Sequence, residues 1–163
     1  MSHQQKIITG LTPFPDKPSF KAKLASDEAN ATGAGGLHNL GSITAFTLIY
    51  DNGSNLSSLN PVTFVAPVTT EYLFNMNITF TAVTSASANF FRLRITTTKR
   101  TALYNMAYAP TGNTLGMSFS QIMQMDSGDT ATFQAEIFGQ PGNTASIDGA
   151  SLDFTCITGV MIG

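Results

Sequence analysis

Residues 61–83 limit the fold more than any other stretch. From Tyr72 onward the side chains alternate, with Tyr72, Phe74, Met76, Ile78, Phe80 and Ala82 on one side and Asn75, Asn77, Thr79 and Thr81 on the other. A period of two held this long specifies a β-strand with one face in a core, because a helix would scatter the aromatics around its circumference. Val62 and Phe64 predict a short strand just before it. The Ala66-Pro67 step ends that strand, since proline has no N–H to give to a ladder. A short strand, a proline corner and a long half-buried strand commit the chain to β-structure.

The same period recurs elsewhere. Phe20, Ala22 and Leu24 alternate with Lys21 and Lys23, and Phe91, Leu93 and Ile95 alternate with Arg92, Arg94 and Thr96. Tyr104, Met106 and Tyr108 share a face, as do Met117, Phe119, Gln121, Met123 and Met125, and again Ala131, Phe133, Ala135 and Ile137. The closing segment sets Leu152, Phe154, Cys156, Thr158, Val160 and Ile162 against Ser151, Asp153 and Thr155, and should occupy the centre of a sheet. Residues 43–50 read as a strand with bulk on both faces, 26–36 as a glycine-rich loop, 51–55 as a turn, and 126–129 as a tight hairpin connection. No helical period occurs. About ten short strands with frequent turn signals predict an all-β fold, an antiparallel two-sheet jelly-roll sandwich.

A chain of 163 residues is expected to form one domain. Proline-rich residues 1–17 read as an N-terminal arm, a possible tether, and 18–163 as the folded domain. Only 11 % of residues are charged and the net charge is −2. That gives no electrostatic case for nucleic acid, and no run reaches the length of a membrane span. Cys156 is the single cysteine, so no intramolecular disulfide can form. The N-terminus has no apolar signal region, which predicts synthesis in the cytoplasm.

Chemistry has few candidates. A Ser or Cys nucleophile needs a histidine, and the histidines are His3, in the arm, and His38, read as a loop residue. Cys156 reads as an inert core thiol. Zinc spacing is absent and the carboxylates are dispersed, so no enzyme is expected and no cofactor or metal is assigned. Arg92, Arg94, Lys99 and Arg100 gather half of the chain's Lys and Arg within one short stretch. They make the candidate ligand-binding patch, for an anionic group such as an acidic glycan. A solvated strand face with a charged hairpin end gives the same pattern more often.

The quoted residues resemble a known family. Phe64-Val65-Ala66-Pro67-Val68, followed by Tyr72 and Phe74, is similar to the phenylalanine–x–alanine–proline–valine, tyrosine, phenylalanine signature of the globular head of complement C1q and its tumour-necrosis-factor-like relatives. Phe20-Lys21-Ala22-Lys23-Leu24 resembles the family's opening strand, and Asn52-Gly53 its turn before the signature. Ile157 to Ile162 resembles its closing strand, with aliphatics in place of aromatics. The resemblance covers residues 18–163. With no collagen repeat or signal peptide, the chain is more similar to bacterial and phage members.

The resemblance implies a ten-stranded jelly roll forming a compact homotrimer, with Phe64, Pro67, Tyr72, Phe74 and Phe80 as the core signature. Bulk on second faces marks Phe46, Leu48, Phe90, Tyr104, Tyr108, Phe138, Ile157 and Met161 as the expected trimer interface, of about 2,000 Å² or more in total. The Asn75/Asn77/Thr79/Thr81 face is expected at a watery sheet surface. Some family members bind calcium; Asp51, Asp126, Asp129 and Asp148 are the turn acids available for it, although capping of turns explains them as well. The expected function is a structural or adhesion component of a virus or phage particle (spike, fibre or decoration), docked through residues 1–17. The alternative is an extracellular, soluble carbohydrate-binding module of the same fold.

Overall fold

The computed structural model describes residues 17–84, 89–108, 112–149 and 155–163. The expected arm, apart from Lys17, and Leu152 and Phe154 lie outside them. Thirteen strands follow in order: β1 (Ser19–Leu24), β2 (Glu28–Thr32), β3 (His38–Asn39), β4 (Phe46–Asn52), β5 (Leu56–Leu59), β6 (Val62–Val65), β7 (Thr70–Thr81), β8 (Asn89–Thr97), β9 (Thr101–Tyr108), β10 (Leu115–Met125), β11 (Thr130–Phe138), β12 (Ala145–Ile147) and β13 (Cys156–Met161). All pairings are antiparallel, in two sheets.

The long alternating strand is β7, and the first sheet is built around it. β10 runs along one edge of β7, and β13 and then β12 lie along the other, with β1 and β4 beyond β13 and β2 beyond β12. The second sheet runs β5-β6-β11-β8-β9, with β3 also on β11. Tyr72, Phe74, Met76, Ile78 and Phe80 all point between the sheets and are buried. Phe20, Phe64, Tyr72, Phe74 and Phe133 form one aromatic cluster with ring centroids 5.2–6.3 Å apart. Burying each such side chain contributes about 1.5–3 kcal/mol. The Tyr72 hydroxyl closes the proline corner by donating to the Val68 carbonyl at 2.8 Å. Burial pushes its pKa above the ordinary phenol range.

Several expectations need correction. Residues 28–32 within the expected loop form β2, because β12 offers them a partner. The 126–129 turn does not close a hairpin. It carries the chain from β10 in the first sheet to β11 in the second. Pro67 belongs to the corner but is exposed, and Ala66 is the buried residue there. In β13 the faces are inverted: Ile157 and Gly159 lie opposite Met76 and Phe74 in the ladder and point inward, whereas Cys156 and Thr158 lie opposite Asn77 and Asn75 and point outward. Added bulk at Gly159 would overlap the Phe20 ring, so only glycine lets Phe20 and Phe74 meet over β13.

Candidate interaction site

The ladders give the sandwich two distinct ends. Ser19, Thr70, Met125, Thr130, Met161 and the β8–β9 hairpin share one end, so Lys17, Pro18 and Gly163 lie there too. This is the termini end. The β7–β8, β9–β10, β11–β12 and β12–β13 connections leave from the opposite, loop end.

At the loop end the connections are tied together. The Gln140 side-chain oxygen accepts from the Thr84 N–H at 3.0 Å, and its amide nitrogen donates to the Thr84 carbonyl at 3.3 Å. Its backbone N–H donates to Gly33 at 3.1 Å, Val83 donates to Asn113 at 3.1 Å, and Ala34 donates to the Asn143 side chain at 3.3 Å. These bonds join the described parts of the β7–β8, β9–β10 and β11–β12 connections to one another and to residues 33–34. No lysine or arginine belongs to them.

Below it, Glu28 is fully buried. One carboxylate oxygen lies 2.9 Å from His38 Nε2, and the other accepts the N–H groups of Ile43 at 2.9 Å and Thr44 at 3.2 Å. His38 is therefore a buried partner on β3 and not a free loop residue. Nothing in the sequence pairs it with Glu28.

The four cations do not form a patch. Arg92 donates to Glu136 at 2.7 Å and to Asn105 at 2.9 Å, and its guanidinium lies over the Phe90 and Phe138 rings. Arg94 projects from the same outward face of the second sheet, opposite Leu103. Lys99 is paired with Asp126, and Arg100 opens onto solvent beside it at the termini end. Of the turn acids, Asp51 accepts the N–H groups of Asn55 and Leu56, and Asp129 accepts that of Asp126. The described residues contain no group of three His, Cys, Asp or Glu able to hold a metal. No described helix is long and apolar enough to cross a membrane.

The expected interface residues separate into classes. Phe46 and Ile157 are buried inside the protomer, and Met161 packs against the core, so these three do not line an interface. Their side chains follow the inward pleat of β4 and β13. Phe90 and Phe138 pack on each other on the outward face of the second sheet. Leu48 is exposed at the β4 edge, and the Tyr108 side chain lies outside the described residues. Tyr104 is 42 % exposed and stacks on Phe119 where the β9 and β10 edges meet.

That flank is unusual for a sheet edge. β9 and β10 contain no charge and no proline, and their ladders to β8 and β7 run without a bulge. Edges are normally protected by those very features. Leu103, on the outward side of β9, is 49 % exposed, and Ile122, on the outward side of β10, is 47 % exposed. The opposite flank is interrupted, with register shifts in the β1–β4 and β5–β6 ladders. The outward face of the first sheet has two zones. Leu73, Ile122 and Val160 form an apolar row near the termini end. Above it lie small polar residues: Asn75 donates to Thr158 at 3.2 Å, and Ser118 donates to Asn77 at 2.7 Å.

No protein-family model matches the chain, and no curated protein matches it in sequence. Solved structures match in fold. The globular domain of zebrafish complement 1qA protein superposes with a TM-score of 0.57 at 13 % identity, covering 90 % of this chain and 98 % of that one. Murine APRIL at pH 8.0 gives 0.60 at 12 % identity, with 89 % and 98 % covered. PRD1 vertex protein P5 gives 0.59 at 13 % identity, with 90 % and 98 % covered. At these identities the likeness is one of fold: the chain has the jelly-roll fold seen in C1q and TNF-like domains.

Proposed function

We propose that this protein is a non-enzymatic structural and adhesion component of a virus particle. It works as a homotrimer, tethered at its termini end and displaying its loop end. The carrying observation is the β9/β10 flank, two uncharged, bulge-free strand edges with Leu103 and Tyr104 exposed beside them. On a lone protomer such an edge invites uncontrolled pairing, so a partner must cover it. A second copy offers a matching surface, the apolar row Leu73, Ile122 and Val160 on the outward face of its first sheet. The flank and the sheet face are different surfaces. Association is therefore head-to-tail, and it closes into a ring.

The division of ends supports the tether. An arm preceding Lys17 leaves from the end opposite the pinned loops, so anchoring and display do not compete. The likeness in fold to a protein named for a vertex agrees with a place in a particle. Absence of catalysis is part of the same proposal.

In a host that makes the particle, deleting residues 1–17 should leave a folded trimer that no longer co-purifies with particles. Unchanged incorporation would rule the tether out. Leu103→Lys should convert the trimer into a folded monomer, read by size-exclusion chromatography with light scattering.

A further inference from the structure

The head-to-tail ring rests on the reading above, and its symmetry restricts which charged groups can meet. A cyclic rotation leaves height along the axis unchanged, so groups paired across the interface sit at the same height in each protomer. Among the described residues the flank carries one unpaired charged group, a cation, and the outward face of the first sheet carries Lys17, Lys21 and Lys23 on the β1 side and one carboxylate without a partner.

On the flank the group is Arg100. Its backbone is fixed in the β8–β9 hairpin, where its N–H donates to Thr97 Oγ1 at 3.1 Å and its carbonyl accepts the Thr97 N–H at 2.8 Å. The side chain borders an open pocket of about 310 Å³ together with Lys99, Gln124 and Asp126. Lys99 is paired with Asp126 and lies 4.0 Å from Asp129, so it neutralises the local acids. Among the described residues Arg100 has no side-chain acceptor.

On the first sheet the group is Glu71. It is exposed on the outward face beyond the Leu73 row, and it lies opposite Gln124 in the β7–β10 ladder. Gln124 also borders the Arg100 pocket, so with the ring axis along the strands the two charges stand at one height. Every other carboxylate among the described residues has a partner, and Glu71 has none. The remaining unpaired cations sit elsewhere. Lys17 belongs to the same sheet as Glu71, and Arg94 lies farther along β8 on the outward face of the second sheet.

We propose that Arg100 of one copy pairs with Glu71 of the next, closing the termini-end rim of each interface. A rim pair adds little affinity but fixes register and rejects misaligned docking.

Charge reversal tests this by sedimentation equilibrium over a concentration series. Arg100→Glu and Glu71→Arg should each raise the concentration for half-dissociation by roughly tenfold or more, because like charges then face each other at every interface. The double variant Arg100→Glu/Glu71→Arg should return to within about threefold of the starting protein. Both positions are exposed, so near-UV circular dichroism should be unchanged, and the starting protein's association should weaken with salt. A wild-type trimer indifferent to both reversals, or a double variant no better than the worse single, would overturn the pair while leaving the ring intact. A wild-type monomer would overturn both.

Discussion

Glu28 shows what a single residue can require of its surroundings. It is a fully buried carboxylate in a run of small residues. Burial pushes its pKa up, but the hydrogen bond from His38 and the N–H groups of Ile43 and Thr44 outweigh this and hold it below the ordinary value. Its folded-state pKa is thus depressed, and its stabilising contribution is complete above the unfolded value of about 4.3. That contribution is lost as pH falls through the lower folded value. Glu28→Ala should cost about 3–5 kcal/mol at pH 7, because it strands His38 and two backbone donors. In urea denaturation the difference between the wild type and Glu28→Gln should narrow as pH falls below about 4. A difference that does not change with pH would contradict the assignment. Residues 28–32 lack apolar alternation, so the sequence does not show that Glu28 begins a strand or that His38 meets it across a loop.

At the scale of elements, legibility followed side-chain contrast. β1, β7, β8, β10 and β11 alternate large apolar with polar residues, and their inward faces were readable. β13 was not. Cys156, Thr158 and Val160 are about as apolar as Ile157, Gly159 and Met161, and the deciding fact is that Phe20 and Phe74 already fill the space over Gly159. Gly159→Ala should therefore destabilise by about 1–3 kcal/mol through overpacking, measured by urea denaturation. A neutral result would mean that the rings move aside freely. At the proline corner, Tyr72→Phe should cost about 0.5–1.5 kcal/mol for the lost bond to Val68 and leave the far-UV circular dichroism of the folded state unchanged. The β9/β10 flank was visible only in pieces. Tyr104 was picked out by bulk, but nothing local shows that two uncharged edges come to lie side by side. Topology brings them together.

For the whole molecule, the sandwich and its family likeness could be read from residues 61–83, whereas the division into ends required the registers of both sheets. Those registers separate a termini end, where Lys17 enters, from a loop end bound together by Gln140. They also dissolve the cationic patch, because Arg92 serves Glu136 and only Arg100 keeps an unpaired charge on the flank side. What remains is a scaffold with one surface to cover and another to show. The most direct measurement is sedimentation equilibrium of the intact chain at micromolar concentration. A species of three times the 17.3 kDa chain mass is the predicted result. A folded monomer throughout that range would contradict the account, because the β9/β10 flank would then stand uncovered in solution.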